Sequence, residues 1–180
     1  GCCSVYSKME TRLKDSMKGL DLAQAYFHEY GLPMLTRRFP AVVPRIAAGL
    51  AGPGSECFGY DDELSRDHDW GPGFCLWLED PDFERYGADL AEEYAKLPDK
   101  FLGFGPRQAS PGEERRVGPM KASDFFYIYT GLDHPPETIS EWLSVPEINW
   151  GLVTNGRVFH DPAGRFTARR EKIAGYYPED

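Results

Sequence analysis

Two aspartates separated by one residue are the part of this sequence best suited to chemistry. Asp67 and Asp69 close the segment GSECFGYDDELSRDHD, which begins at Gly54. On a β-strand, a spacing of two residues points both carboxylates to one face and His68 to the other. Hard oxygen ligands on one face suit Mg²⁺, especially when the ion also takes oxygens from a substrate phosphate. The pair therefore predicts a divalent-cation site.

The start of the same segment predicts an anion-binding turn. Gly54 and Ser55 follow an Ala-Gly-Pro sequence that breaks the chain sharply. Such a turn offers backbone N–H groups and a hydroxyl, in the kind of concavity that binds phosphate. A phosphate turn and a cation site in one segment predict a site for a metal and a phosphate-bearing ligand.

The charge balance excludes some classes of partner. The 180 residues carry a net charge of −9, and residues 51–100 alone hold 14 acidic and 4 basic side chains. Non-specific nucleic-acid binding needs an excess of Lys and Arg to neutralise phosphates, so we do not expect it. No window reaches the roughly 18 apolar residues of a membrane span, so no membrane partner is expected either.

The four cysteines, at positions 2, 3, 57 and 75, fit neither a disulfide framework nor a metal-ligand spacing. Reduced thiols favour a cytoplasmic location. Residues 1–16 are interpreted as a leader that is flexible or an expression remnant, because Val5 stands where the myristoylation pattern needs Ser or Thr.

The elements that must position the site are predicted from periodicity, caps and breakers. Helices are expected over 20–31, with Asp21 as N-cap and Gly31 as stop, and over 33–50, split by Pro40 and Pro44. The other expected elements are a buried strand at 70–78, a helix at 81–97, a loop at 98–112, a strand at 115–120, helices capped by Ser123 and Ser140, an Asn155-Gly156 turn, a strand at 157–161 and a helical tail. This order predicts an α+β (mixed α/β) fold in one domain over 17–180, with a small mixed sheet flanked by helices.

A helix, a Gly-Ser turn and a strand bearing Asp-x-Asp resemble the nucleotidyltransferase superfamily that has the DNA polymerase β type of catalytic domain. The longer string GSECFGYDDELSRDHDWGP is similar to a bacterial family of nucleotidyltransferase-like proteins labelled as a domain of unknown function. The resemblance extends from about Met17 to the end. It includes Leu97-Pro98 with Phe101 and Gly103, Glu141-Trp142-Leu143, GRVFHD at 156–161 and YYPED at 176–180.

The resemblance implies a Mg²⁺- or Mn²⁺-dependent transfer of a nucleoside monophosphate from a nucleoside triphosphate to an acceptor hydroxyl. It makes Asp67 and Asp69 the catalytic metal ligands, and Gly54 and Ser55 the cradle of the triphosphate. Arg66, next to the pair, is either a further phosphate contact or a surface ion-pair residue. The acceptor is a small molecule, a protein side chain or an RNA end, and a long RNA fits the acidic charge least.

Active members of the superfamily supply a third carboxylate from a neighbouring strand. The strand expected at 115–120 contains no acid. Glu114 and Asp124 flank it, Asp61 and Asp62 lie in the loop before the pair, and Asp161 is a more remote candidate. The base is therefore unassigned.

The family's helical region after this domain is expected to be absent, since the sequence ends at Asp180. An alternative function follows from these two departures: a regulatory module with the same fold that binds a nucleotide or a partner but is impaired in catalysis.

Overall fold

The strands form one small mixed sheet in the computed structural model, which describes residues 17–60, 71–107 and 117–176 of the chain. They are β1 (Ala47–Leu50), β2 (Cys75–Leu78), β3 (Gly118–Lys121) and β4 (Arg157–His160), in the spatial order β3-β2-β1-β4. β1 pairs antiparallel with β2 and β4, whereas β2 and β3 run parallel. The predicted α+β fold with a small mixed sheet is confirmed.

Helices surround this sheet. They are α1 (Gly19–Tyr26), a π-helical turn (Phe27–Gly31), α2 (Leu32–Arg38), α3 (Asp80–Ala95), α4 (Ala122–Thr130), α5 (Ile139–Ser144), α6 (Glu147–Thr154) and α7 (Arg165–Gly175). Short 3₁₀ helices cover Val43–Arg45 and Ser55–Phe58. Within the three described ranges, no helix has the length and apolarity needed to cross a bilayer.

The sheet is buried on both faces, which explains why its inner strands read as continuous apolar runs. Along β2, Cys75 and Trp77 belong to one hydrophobic cluster, and Leu76 and Leu78 belong to another. This alternation is the period of two expected of a strand. The first cluster contains buried side chains of α4 to α7, and the second is formed mainly by α1 to α3. The sheet thus separates two cores.

The N-terminal helix is longer than the sequence predicted, and Gly31 does not stop it. The α1, π and α2 segments continue without a break, and Gly31 keeps a right-handed helical conformation. A Cβ at Gly31 would lie 2.5 Å from Phe74 Cζ. Glycine is required here by the close approach of the helix to the residue before β2, and not by a chain reversal.

The helix predicted over 33–50 is wrong in its second half. α2 ends at Arg38, before Pro40, and residues 47–50 form β1. The sequence AAGL has no β-branched residue, so local preference did not indicate a strand. Pairing with β2 and β4 stabilises the strand instead. The pairing with β4 requires glycine at position 49, because a Cβ there would collide with Arg157 O.

Three predicted N-caps are also corrected. Asp21 lies in the first turn of α1, and Ser123 lies in α4, where its hydroxyl donates to Asp80 Oδ1 at 2.6 Å. Thr138, not Ser140, caps α5, because its hydroxyl accepts from Glu141 N–H and the Glu141 carboxylate accepts from Thr138 N–H. Both pairings belong to one capping box.

The remaining predicted elements are present with shifts of a few residues at their ends. β2, α3 and β3 lie at the expected strand, helix and strand, and α3 has its proline in the first turn. The Asn155-Gly156 turn leads into β4, and α7 is the predicted helical tail. Cys57 and Cys75 are buried thiols. The interpretation of residues 1–16 as a leader lies outside the described residues.

Candidate functional site: the turn after the first strand

The Gly54–Ser55 turn begins where β1 leaves the sheet. Gly52 and Gly54 have φ values of 107° and 141°, in the region that only glycine enters readily. Ser55 starts a 3₁₀ helix, and Cys57 N–H donates to Gly54 O at 3.1 Å. Ser55 is half-buried. The backbone thus bends twice within three residues and then closes into a hydrogen-bonded turn.

The side chain of Asn155 holds the first of these bends. Gly52 N–H donates to Asn155 Oδ1 at 2.9 Å, and Asn155 Nδ2 donates to Gly52 O at 2.9 Å. One residue further, Gly156 N–H donates to Cys57 O at 3.0 Å. The turn before β4 is therefore bonded to both sides of the Gly54–Ser55 turn.

Arg170 holds the backbone of Asn155 in place. Its guanidinium donates to the carbonyl oxygens of Val153, Thr154 and Asn155, the last at 2.6 Å. These carbonyls end α6, where the helix leaves backbone acceptors without intrahelical donors. Burial lowers the pKa of the Arg170 guanidinium.

A buried ion pair holds the other side of the turn. Glu56 Oε1 lies 2.9 Å from Arg107 Nη1, and the two side chains are only 2% and 7% exposed. Arg107 Nη2 also donates to Gly71 O at 3.2 Å. Gly71 follows residues 61–70 directly, so one guanidinium joins the residues on either side of the segment that carries Asp67 and Asp69.

Residues 105–107 also pack closely on the chain that leaves this segment. A Cβ at Gly71 would lie 3.0 Å from Arg107 N and 3.1 Å from Gly105 O. The φ of Gly71 is 149°, a second reason for glycine at this position. The loop predicted at 98–112 therefore contributes directly to the geometry of the site through its described part.

The sequence-predicted residues divide into those that the structure places and those outside the described residues. Gly54 and Ser55 lie in the turn. The residues outside the described ranges are Asp61, Asp62, Arg66, Asp67, Asp69 and Glu114. Their roles remain predictions.

Asp124 is described, and it is not brought to the turn. It is exposed in the first turn of α4, which begins directly after Lys121 at the end of β3. The register pairs Gly118 with Cys75 and Cys75 with Gly49, near the turn, whereas Lys121 pairs with Leu78 at the opposite end of the sheet. Asp161 accepts from the N–H groups of Gly164 and Thr167 and so caps the start of α7.

Four residues important to this geometry were not found from the sequence: Glu56, Arg107, Asn155 and Arg170. Asn155 was identified as part of a turn, but nothing in the sequence indicates that its side chain reaches Gly52. Glu56 follows the Gly-Ser pair directly, but its burial is visible only in the structure. Arg107 lies 51 residues away in a loop, so spacing alone does not pair the two.

Carboxylates are lacking from the strands of the described sheet, whose sequences are AAGL, CLWL, GPMK and RVFH. Within residues 17–60, 71–107 and 117–176, no three His, Cys, Asp or Glu side chains are grouped so that they could hold a metal ion. Segment 61–70, which follows the turn in the sequence, has four aspartates and one glutamate.

A polar cavity of about 400 Å³ lies elsewhere, between the end of α2 and α3. Three of its charged side chains bond to each other: Glu93 accepts from Arg38 at 3.2 Å and from Lys96 at 3.0 Å. Because Glu93 is already paired with two cations, the cavity is a weaker candidate than the turn.

Comparison with known protein families gives a match over the C-terminal part of the chain. The model of a family described as Domain of unknown function (DUF4037) matches residues 142–180. No curated protein and no solved structure matches the chain. The matched segment contains Asn155, Gly156 and Arg170, the residues that hold the Gly54–Ser55 turn from the β4 side.

Proposed function

We propose that this chain is a nucleotidyltransferase-like domain that binds a nucleoside triphosphate with Mg²⁺ and transfers the nucleoside monophosphate to an acceptor hydroxyl. The observation that carries the proposal is the Gly54–Ser55 turn, which Asn155 holds on one side and the Glu56–Arg107 pair on the other. A fixed turn of positive-φ glycines lets a backbone approach phosphate oxygens closely.

In this proposal Asp67 and Asp69 hold the metal. Their chemistry fits it, because carboxylate oxygens are the ligands that Mg²⁺ prefers. When bound, the metal would neutralise charge on the phosphates and polarise the reacting phosphoryl group. Gly54 and Ser55 bind the triphosphate, and Arg107 keeps the two ends of the acidic segment together.

The reaction is an in-line displacement. The acceptor oxygen forms a bond to the α-phosphorus, the bond from that phosphorus to the oxygen bridging to the β-phosphate breaks, and pyrophosphate leaves. The acceptor proton passes to a base that stays unassigned. The acceptor is a small molecule, a protein side chain or an RNA end, and the net charge of −9 makes a long RNA the least suitable of these.

Calorimetric titration with ATP, GTP, CTP and UTP, with and without Mg²⁺, tests the proposal. The wild type should bind at least one of these in a Mg²⁺-dependent way, and Asp67→Asn/Asp69→Asn should lose that binding. Asp89→Asn/Asp99→Asn is the matched control, since it removes the same number of charges from exposed positions. Equal binding by the two double variants would contradict the assignment of the metal ligands.

One observation favours a second candidate, a nucleotide-binding regulatory module with impaired catalysis. β3, the strand next to β2, carries no acid, and neither does any other strand of the described sheet. Assays of pyrophosphate release separate the two functions. Mg²⁺-dependent nucleotide binding without release of pyrophosphate, across a panel of hydroxyl acceptors, would favour the regulatory module.

A further inference from the structure

Asn155 makes an unusual contact with the turn, because a single carboxamide satisfies both polar groups of one residue. It accepts from Gly52 N–H and donates to Gly52 O, each at 2.9 Å. Gly52 is buried, so both backbone groups would otherwise lack water as a partner. Of the side chains of this length, only asparagine has both a donor and an acceptor in a planar group.

Gly52 sets the direction in which the chain leaves β1. Its φ of 107° turns the backbone two residues before Gly54. A Cβ at Gly52 would lie 3.5 Å from the hydroxyl of Tyr129, so α4 covers the open side of this residue. The two hydrogen bonds from Asn155 therefore fix the orientation from which the Gly54–Ser55 turn starts.

Asn155 is itself held from two directions. Arg170 donates to its carbonyl oxygen at 2.6 Å, and its own N–H donates to Gly151 O at 2.8 Å. The next residue, Gly156, is bonded to Cys57 O beyond the turn. A continuous set of hydrogen bonds thus runs from α7 through the end of α6 to both sides of the turn.

We propose that Asn155 is a positioning residue for phosphate recognition: its carboxamide, held by Arg170, keeps the Gly52–Ser55 backbone in the conformation that receives the triphosphate. This inference rests on the proposed function. The Asn155 carboxamide bonds to Gly52, so its effect on binding passes through the backbone of Gly52.

The matched control is Asn149, which lies on α6, the helix that Asn155 follows. Asn149 Nδ2 donates to Tyr129 O at 2.8 Å, and this contact is also partly buried. Asn149→Ala thus removes a side-chain bond to a backbone carbonyl without touching Gly52. Asn155→Asp is the second variant of the turn, since it keeps an acceptor for Gly52 N–H and loses the donor to Gly52 O.

The experiment measures two quantities on the wild type, Asn155→Ala, Asn155→Asp and Asn149→Ala. The first is the dissociation constant of the Mg²⁺ complex of whichever of ATP, GTP, CTP and UTP the wild type binds most tightly, together with Mg²⁺-tripolyphosphate as a probe of phosphate recognition alone. The second is hydrogen exchange at the amides of residues 52 and 54–57, measured without ligand.

Asn155→Ala should raise both dissociation constants about 10-fold or more, since two hydrogen bonds are lost. Asn155→Asp should also raise both constants, because a carboxylate oxygen facing Gly52 O cannot donate to it, and Asn149→Ala should stay within about 2-fold of the wild type. Exchange at residues 52 and 54–57 should accelerate in Asn155→Ala and not in Asn149→Ala. Unchanged exchange and unchanged affinity in Asn155→Ala would overturn the positioning role.

Failure of the proposed function gives a different result. In that case the wild type itself binds none of the four nucleotides, and the phosphate role of Asn155 falls with it. The exchange data still decide whether Asn155 fixes the turn, because they need no ligand. Binding by the wild type with equal losses in Asn155→Ala and Asn149→Ala would overturn the positioning role alone.

Discussion

At the scale of single residues, the buried pair of Glu56 and Arg107 does most to define the candidate site. Both side chains are buried, and a buried charge without its partner strongly destabilises the fold. The pair therefore requires residues 56, 71 and 107 to stay together. Its position beside the turn links the stability of the fold to the geometry of the site.

Replacing either Glu56 or Arg107 should strongly destabilise the folded protein. We expect Glu56→Gln or Arg107→Met to lower the free energy of unfolding by about 3–5 kcal/mol, because each leaves a buried polar group without its counter-charge. The double variant should lose less than the sum of the two single variants. Chemical denaturation of the four proteins measures this coupling.

The control is an ion pair at the surface. Arg38 Nη2 lies 3.2 Å from Glu93 Oε1, and the Arg38 side chain is 57% exposed. Arg38→Met should cost no more than about 1 kcal/mol, as is usual for exposed pairs. A loss for Arg107→Met as small as this would show that the buried pair does not hold the site together.

His134 gives a prediction about pH. Its Nδ1 lies 2.7 Å from Pro135 O and its Nε2 lies 3.4 Å from Glu141 Oε1. The hydrogen bond to Pro135, with the charge of Glu141, raises the pKa of His134 above its usual value. The folded state therefore binds the proton more tightly than the unfolded state does, and protonation stabilises the fold.

This stabilisation is complete below about pH 6.5, the unfolded value, and is lost as the pH rises through the folded pKa. The melting temperature of His134→Gln should therefore fall further below that of the wild type at about pH 5.5 than at about pH 8.5. Thermal unfolding of both proteins at the two pH values tests this. An equal difference at both would contradict the assignment.

At the scale of elements, the contact between the end of β1 and the turn before β4 depends on Gly156. Its φ is 68°, and a Cβ there would collide with Leu50 O. Gly164 has almost the same φ, 71°, but a Cβ there meets no atom within 4 Å. A side chain at Gly164 would meet only backbone strain, whereas a side chain at Gly156 would meet backbone strain and a steric collision.

Alanine at Gly164 should cost only the left-handed conformation, about 1–2 kcal/mol. Alanine at Gly156 should cost clearly more, because β4 must also move away from β1. Denaturant titration of Gly156→Ala and Gly164→Ala measures the difference. Equal losses would mean that the β1–β4 contact adapts without cost.

The elements that were predicted correctly are those whose signals are local. α3 has an amphipathic pattern and a proline in its first turn, and the turn at Asn155-Gly156 is a local chain signal. β1 and the uninterrupted helix through Gly31 were missed because they depend on contacts with residues distant in sequence. Gly49 packs against Arg157, and Gly31 packs against Phe74. A single sequence does not show such contacts.

At the scale of the whole molecule, residues 142–176, the described part of the family-matched segment, belong to the common core and not to a separate unit. Phe166 of α7 stacks on Trp77 of β2, with ring centres 4.0 Å apart and planes at 14°. Trp150 and Val153 of α6 belong to the same cluster. The segment is therefore stabilised by packing on the sheet, and it supplies Asn155, whose side chain bonds to Gly52 before the Gly54–Ser55 turn.

Phe166→Ala should lower the free energy of unfolding by about 3–5 kcal/mol, since it leaves a cavity against Trp77. Leu143→Ala is the control in the same segment, and it should change stability by less than about 0.5 kcal/mol because Leu143 is 75% exposed. Denaturant titration compares the two. Similar small losses would mean that the segment packs only loosely on the sheet.

The candidate site could be predicted only in part from the sequence. Gly54 and Ser55 were found because a glycine-serine turn has a recognisable composition and a known affinity for phosphate. Their supports, Asn155 and Arg107, come from positions 103 and 51 residues from their partners. Long-range hydrogen bonds of this kind leave no periodicity in the sequence, and they appear only when the chain is folded.

The proposed function requires the Gly54–Ser55 turn and the acidic segment after it to bind a nucleoside triphosphate together with Mg²⁺. Calorimetric titration of the wild-type chain with the four nucleoside triphosphates measures this binding. The proposed function requires saturable one-to-one binding of at least one of them in the presence of Mg²⁺, abolished by EDTA. If none of the four binds, with Mg²⁺ or without it, the proposed function is wrong.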